Sequence, residues 1–278
     1  MAELVCRLCC AARDHPDVIR RVVLPLLGLA LIAAGEPPHY QSSPERRTVV
    51  DNRDWGPWLG PFRQKLVPSL MQDFGERYLY APADAALPPP APGEKRVVFL
   101  GDSITDLWNL GAYFPGRPFI NRGIGAQVTA QMLLRFQQDV VALNPSAVVI
   151  LGGVNDVQGF MQAEAPDGII GNVEAMADIA DAHGIKVVLC SILPVNDYTP
   201  QAHDVVKERQ PELLRRLNAR LRALARARGY AYADYDAVLS DEHGMMAAPY
   251  TQDGIHPTAA GYTRMAPVAN AAIAEALR

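Results

Sequence analysis

The sequence predicts an α/β protein, a three-layer α/β/α sandwich around a five-stranded parallel sheet in flavodoxin-like order. Three observations carry that prediction. Short apolar, β-branched runs recur from residue 97 onward, each the length of a buried strand. Stretches with helical spacing separate them, as a parallel sheet covered on both faces requires. Glycine-containing polar turns follow the strands, where open α/β sheets bind ligands.

Taken in order, the first strand is Val97-Val98-Phe99-Leu100, broken by Gly101. Further strands are expected at Phe119–Asn121, Ala147–Leu151, Lys186–Leu189 and Tyr230–Ala233. Helices are expected near Ala126–Ala142, Ile169–His183 and Glu208–Arg228. In the third of these, leucines 213, 214, 217 and 221 keep one face apolar. His183-Gly184 and Arg228-Gly229 place glycines where helices end in the left-handed region. A last helix follows Pro257, which suits a first helical position.

The chain has 278 residues, 49% hydrophobic and 20% charged, an ordinary globular composition. A net charge of -4 supplies no basic field for nucleic acid or anionic lipid.

Residues 1–35 read as a signal peptide. Arg13, Arg20 and Arg21 precede the apolar run Val22–Ala34, and Ala33-Ala34-Gly35 offers small residues for cleavage. At about 13 residues the run is short for a bilayer span. Export to the periplasm or medium is therefore expected, and a cytoplasmic location if the run is instead a buried helix. Cys6, Cys9 and Cys10 would leave with that segment, and Cys190 reads as a small core residue. Cys6-x-x-Cys9 has no second ligand pair at metal spacing, so no metal is expected.

Residues 36–93 form a connection and an amino-terminal extension. Residues 36–53 are polar and Pro-containing, as in a flexible link. Trp55 to Tyr80 is aromatic-rich but interrupted by Pro57, Pro61, Pro68 and Gly75, so short helices packed on the main domain are expected. Trp55 and Trp58 fit packing better than ligand binding. Leu87–Gly93, with four prolines, is a stiff extended link, and the main domain is expected over residues 94–278.

Four polar clusters flank strand ends or precede a helix: Gly101-Asp102-Ser103, Asn121–Ala126, Gly152–Asp156 and Asp253-Gly254-Ile255-His256. The first three should converge at the carboxyl edge of a parallel sheet, and the fourth is able to fold onto it. Together they contain a serine, a histidine, carboxylates, an amide side chain and glycine turns. Nucleophilic acyl transfer needs that inventory of nucleophile, base, orienter and oxyanion donors.

On these blocks the chain resembles the GDSL esterases of the SGNH hydrolase superfamily. Gly101-Asp102-Ser103-Ile104 matches the first block, with Ile in the place of Leu. Gly153-Val154-Asn155-Asp156 matches the Gly-x-Asn-Asp block, and Asp253-Gly254-Ile255-His256 the closing Asp-x-x-His block. The resemblance implies that Ser103 is the nucleophile, His256 the general base and Asp253 its orienter. It implies an oxyanion hole made of the Ser103 N–H, an N–H of the second block and the Asn155 side chain. The second block departs from the family pattern: the usual glycine is replaced by Ala126, which keeps its N–H. If the turn needs positive φ, alanine strains it by roughly 1 kcal/mol. Its methyl group would also narrow the acyl site.

The resemblance implies hydrolysis of a carboxylic ester without a cofactor. The Ala126 methyl and the lack of a long apolar lid favour short acyl groups, acetyl first. An exported enzyme would meet acetylated carbohydrates or small esters. Lysophospholipase or thioesterase action on longer acyl chains is the alternative. A catalytically silent carbohydrate-binding module on the same fold is the alternative of another class. Other polar residues have plainer readings. Asp102 and Asp156 are expected to accept turn N–H groups, and His203 and His243 to lie on the surface. Gly123-x-Gly125-x-x-Val128 lacks the third glycine of a dinucleotide fingerprint. Trp108, Tyr113, Phe114 and the loop Leu193–Pro200 fit a cleft wall and ordinary packing equally well.

Overall fold

The computed structural model describes residues 56–278, with side chains from residue 60 onward. The expected signal segment, the link to residue 53, Cys6, Cys9, Cys10 and Trp55, together with the Trp58 side chain, lie outside the described residues. Residues 56–278 belong to one compact unit.

The sheet is parallel, with strands in the order β2-β1-β3-β4-β5. They are β1 (Val97–Gly101), β2 (Phe119–Gly123), β3 (Ala147–Leu151), β4 (Lys186–Cys190) and β5 (Ala231–Ala233). This is the flavodoxin-like arrangement the alternating pattern predicts. The central strands β1 and β3 are buried at every position, because helices cover both faces. One layer holds α5 (Thr129–Asp139), α7 (Pro166–Ala182) and α9 (Pro211–Arg228). The other holds the short α3 (Ser103–Asp106), α4 (Leu110–Tyr113) and α10 (Tyr235–Leu239), with the long α11 (Ala259–Ala276).

Aromatic packing on this second face answers one open reading. Trp108 and Phe114 are buried with Phe99, Tyr235 and Tyr262, and Trp108 stacks on Tyr262 at 5.2 Å between centroids. Each such pair contributes about 0.5–1.5 kcal/mol beyond burial. Trp108 is core that holds α3 and α11 together, whereas Phe114 and Tyr113 also line a pocket with Ala266, Pro267 and Asn270.

Several boundaries differ from expectation. The helix expected from Glu208 begins only at Pro211, after Gln210 takes a left-handed φ of 44°. A single helix α1 (Gly56–Gln72) runs through Pro61 and Pro68, where separate short helices were predicted. Pro57 lies in its first turn, where a missing N–H costs little. The helix predicted over Ala126–Ala142 is confined to Thr129–Asp139, because Ala126 takes a left-handed φ of 64° and Val141–Leu143 tightens into a 3-10 turn. Pro257 precedes the start of α11 instead of occupying its first position. The Thr258 hydroxyl accepts the Gly261 N–H as the cap, and Pro257 pairs with Thr251 in the loop before it.

The extension packs firmly on the sheet. After α1 and α2 (Ala81–Ala86), Asp84 receives Arg122 Nε at 2.8 Å and Nη2 at 2.5 Å. The Tyr80 hydroxyl donates to the Gly123 carbonyl. The proline link is tied back by Arg96, which donates to the Pro88 and Leu143 carbonyls.

Candidate active site

Gly101 ends β1 because there is no room for more. A Cβ there would lie 2.1 Å from Thr105 Oγ1 and 2.9 Å from the Leu151 carbonyl. The chain turns at once into α3, and Asp102 caps it by accepting the Ile104 N–H at 2.9 Å. Ser103 is therefore the first residue of a helix, with its hydroxyl half-buried at the carboxyl edge of the sheet.

The fourth polar cluster folds onto this edge. Ser103 Oγ lies 2.8 Å from His256 Nε2, across 153 residues of sequence. His256 Nδ1 lies 2.6 Å from Asp253 Oδ2. The other carboxylate oxygen of Asp253 accepts the N–H groups of Ile255 and His256 and the Thr251 hydroxyl. Partial burial alone would raise the Asp253 carboxyl, but the His256 ring and these N–H groups hold it well below the usual range. An ionised Asp253 only accepts, so Nδ1 carries the proton and Nε2 faces the serine as a base. Gly254 permits the tight turn: its φ is 81°, and a Cβ would meet the Asn196 carbonyl at 2.2 Å. Asn196, buried in the Leu193–Pro200 loop, donates its N–H to the Gly254 carbonyl, so this loop supports the triad turn.

The expected oxyanion donors beyond Ser103 itself lie just after β2 and β3, at the same sheet edge. Asn155, in α6 (Val154–Gln158), is buried and gives one amide hydrogen to the Gln127 carbonyl at 3.0 Å, leaving the second. The N–H groups of Ser103 and Ala126 donate to no protein group among the described residues. Ala126 does occupy the left-handed region, so the strain expected of alanine here is present.

Asp102 bonds an N–H of its own turn, as expected, but Asp156 bonds Thr129, 27 residues away, and not its own turn. Asp156 accepts the Thr129 N–H and hydroxyl at the start of α5, and burial pushes its carboxyl up to about 6 against those bonds. Burial likewise pushes Asp102 up to about 6, opposed by the Ile104 N–H and by its proximity to His256. His203 and His243 are exposed beside Asp204 and Glu242. Cys190 is buried and unbridged, its thiol pushed up to about 12 by burial. The glycine turn after β2 is packed, not open for phosphate: a Cβ at Gly123 would sit 2.1 Å from the Asp106 backbone nitrogen. Beside His256 and Asp253 opens a cleft of about 720 Å³ whose wall includes Thr199, Gln201, Thr251, Gln252 and Thr258.

Gln127 is the site residue the sequence reading did not single out. Its carbonyl holds Asn155 and its side chain sits at the centre of a buried polar network. No motif marks it, since its function depends on contacts from three separate segments.

With this geometry in place, comparison with known proteins identifies the class. The model of the GDSL-like lipase/acylhydrolase family matches residues 99–264, and the chain belongs to that family. Its members are carboxylic ester hydrolases, so this is a GDSL-family acylhydrolase. A GDSL-like lipase from Bacteroides thetaiotaomicron is 38% identical, with a TM-score of 0.68 over 74% of this chain and 100% of that one. A Bacteroides fragilis protein assigned to the acylhydrolases is 36% identical, with the same TM-score over 74% of this chain and 99% of that one. An acetylxylan esterase from Geobacillus stearothermophilus shares the fold, at 20% identity and a TM-score of 0.53 over 66% of this chain and 95% of that one. No curated protein matches the chain.

Proposed function

We propose that the chain is an exported serine esterase that removes short acyl groups, acetyl by preference, from polar alcohols such as sugars. The observation that carries this reading is the continuous Ser103–His256–Asp253 relay, with contacts of 2.8 and 2.6 Å. Ser103 Oγ attacks the ester carbonyl carbon as His256 Nε2 takes its proton. The carbonyl oxygen becomes an oxyanion received by the Ser103 and Ala126 N–H groups and the free Asn155 hydrogen. Collapse breaks the bond to the alcohol oxygen, which leaves with the proton from His256. Water then attacks the acyl-Ser103 ester by the same steps, with His256 as base, releasing the acid and restoring the serine. Asp253 holds the ring in the productive tautomer and stabilises the imidazolium.

Two features support a small acyl group on a polar alcohol. The Ala126 methyl stands beside an oxyanion donor, where the family's glycine would leave space. The leaving group has to lie within reach of His256, and the cleft there offers the amides of Gln201 and Gln252 beside Ala248 and Pro257. The hydroxyls of Thr199, Thr251 and Thr258 are bonded within the protein. Such amides pair with a polyol better than with an alkyl chain.

The test is a panel of para-nitrophenyl acetate, octanoate and palmitate, with acetylated sugars, on wild type and Ser103→Ala. The reading expects kcat/KM highest for acetyl esters and loss of turnover in the variant. Rates that rise with chain length would favour lysophospholipase or thioesterase action. Binding of a sugar without any turnover would favour a silent module. Export is tested by sequencing the amino terminus of the mature protein, which is expected to start near Glu36.

A further inference from the structure

We propose that Glu76, in the segment before the catalytic sheet, is a positioning residue for the oxyanion hole. The inference rests on the esterase reading above and adds a part of the chain that lies outside the family match at 99–264.

Glu76 is buried, though it lies in a turn between α1 and α2. Its backbone takes a φ of 53°, which a residue with a Cβ rarely adopts. Strained backbone of this kind persists where the surroundings over-determine it. Here the surroundings are a single polar network. Gln127 Nε2 donates to Glu76 Oε2 and to the Gly75 carbonyl, both at 3.1 Å. Gln127 Oε1 accepts Arg135 Nε at 2.6 Å. Arg135, fully buried, also donates to Asp139 at 2.9 Å and to the Gly101 carbonyl at 2.9 Å. The Gln127 carbonyl in turn receives Asn155 Nδ2.

This network touches each part of the proposed hole. Gln127 follows Ala126, so its side-chain anchors fix the peptide that orients the Ala126 N–H. Its carbonyl aims the Asn155 amide. Arg135 grips Gly101, two residues before Ser103. Glu76 and Ala126, both at positive φ, stand at opposite ends of the arrangement. Neighbouring contacts keep the turn in place: Gln131 Nε2 donates to the Phe74 carbonyl and Gln138 Nε2 to the Arg77 carbonyl. The extension thus buttresses the back of the site.

A misplaced oxyanion donor lowers turnover without weakening substrate binding equally. Glu76→Met keeps the bulk of the side chain and removes both acceptor oxygens, Glu76→Ala removes the side chain, and Glu76→Gln keeps an acceptor for Gln127. For para-nitrophenyl acetate, Glu76→Met and Glu76→Ala are expected to lower kcat about tenfold to a hundredfold, with KM within about twofold. Glu76→Gln is expected to restore most of that loss. Inactivation by diethyl para-nitrophenyl phosphate, whose phosphoryl oxygen uses the same hole, should slow by a similar factor. Hydrogen exchange across residues 121–132 should accelerate in the Met and Ala variants, a readout independent of turnover. Unchanged kcat and unchanged exchange would overturn the proposal. So would activity lost only in proportion to the unfolded fraction found by thermal melting. A wild type without esterase activity would instead defeat the earlier reading, leaving exchange to decide on Glu76.

Discussion

Asn155 and Gln127 are joined by a hydrogen bond of 3.0 Å from the amide of one to the carbonyl of the other, across 28 residues of sequence. That bond uses one of the two Asn155 amide hydrogens and fixes the plane of the group, so the second hydrogen has a set direction. The side chain is buried, so few rotamers compete. An oxyanion donor held in advance needs no reorganisation during the reaction.

Removing this donor is expected to act on the transition state. Asn155→Ala should lower kcat by about a hundredfold to a thousandfold, with KM changed little. Steady-state kinetics on para-nitrophenyl acetate measures the split, and a rise in KM at constant kcat would place Asn155 in substrate binding instead.

Ala126 yields a prediction of opposite sign. In the left-handed region its Cβ costs roughly 1–2 kcal/mol, while glycine adds chain entropy to the unfolded state. Ala126→Gly should therefore leave the protein as stable or up to about 1 kcal/mol more stable, a rise in Tm of roughly 2–4 °C. Loss of the methyl should also raise relative rates on octanoate over acetate. Calorimetry and the ester panel test the two halves separately. A lower Tm would contradict the strain account.

The buried carboxylates give a pH prediction. Asp102 is held at about 6 by burial, above the roughly 3.9 expected when unfolded. The folded state therefore binds the proton more tightly. This contribution is fully present below about pH 4 and is lost as pH rises through about 6. Asp102→Asn cannot ionise, so its Tm relative to wild type should be higher at pH 8 than at pH 5. Melting curves at the two values decide this. Asp253 works the other way: its carboxyl is depressed, so its contribution is present above about pH 4 and disappears only in stronger acid.

Much of the fold was legible because its signals are local. The strands from 97, 147 and 186 are largely apolar runs, and glycines 184 and 229 end helices as their positions predict. Ser103, His256 and Asp253, which the structure joins by hydrogen bonds, and Asn155 lie in three short blocks that the sequence carries in the order the family resemblance marks. Structure that depends on distant partners was hidden. Pro61 and Pro68 read as breaks, yet α1 passes through both. The start of α5 carries no Ser or Thr cap; Gln131 instead accepts the Val128 N–H from within the helix. Glu76 had no signal at all, since its role comes from a left-handed turn and a partner 51 residues away.

The central claim is that Ser103 carries the acyl group. Wild-type protein mixed with para-nitrophenyl acetate, quenched in acid and mapped by peptide mass spectrometry should show a single acetyl group on the Ser103 peptide. Ser103→Ala should show none and release no nitrophenol above the uncatalysed rate. Turnover that persists in Ser103→Ala, or an acetyl group trapped on another residue, would contradict the account.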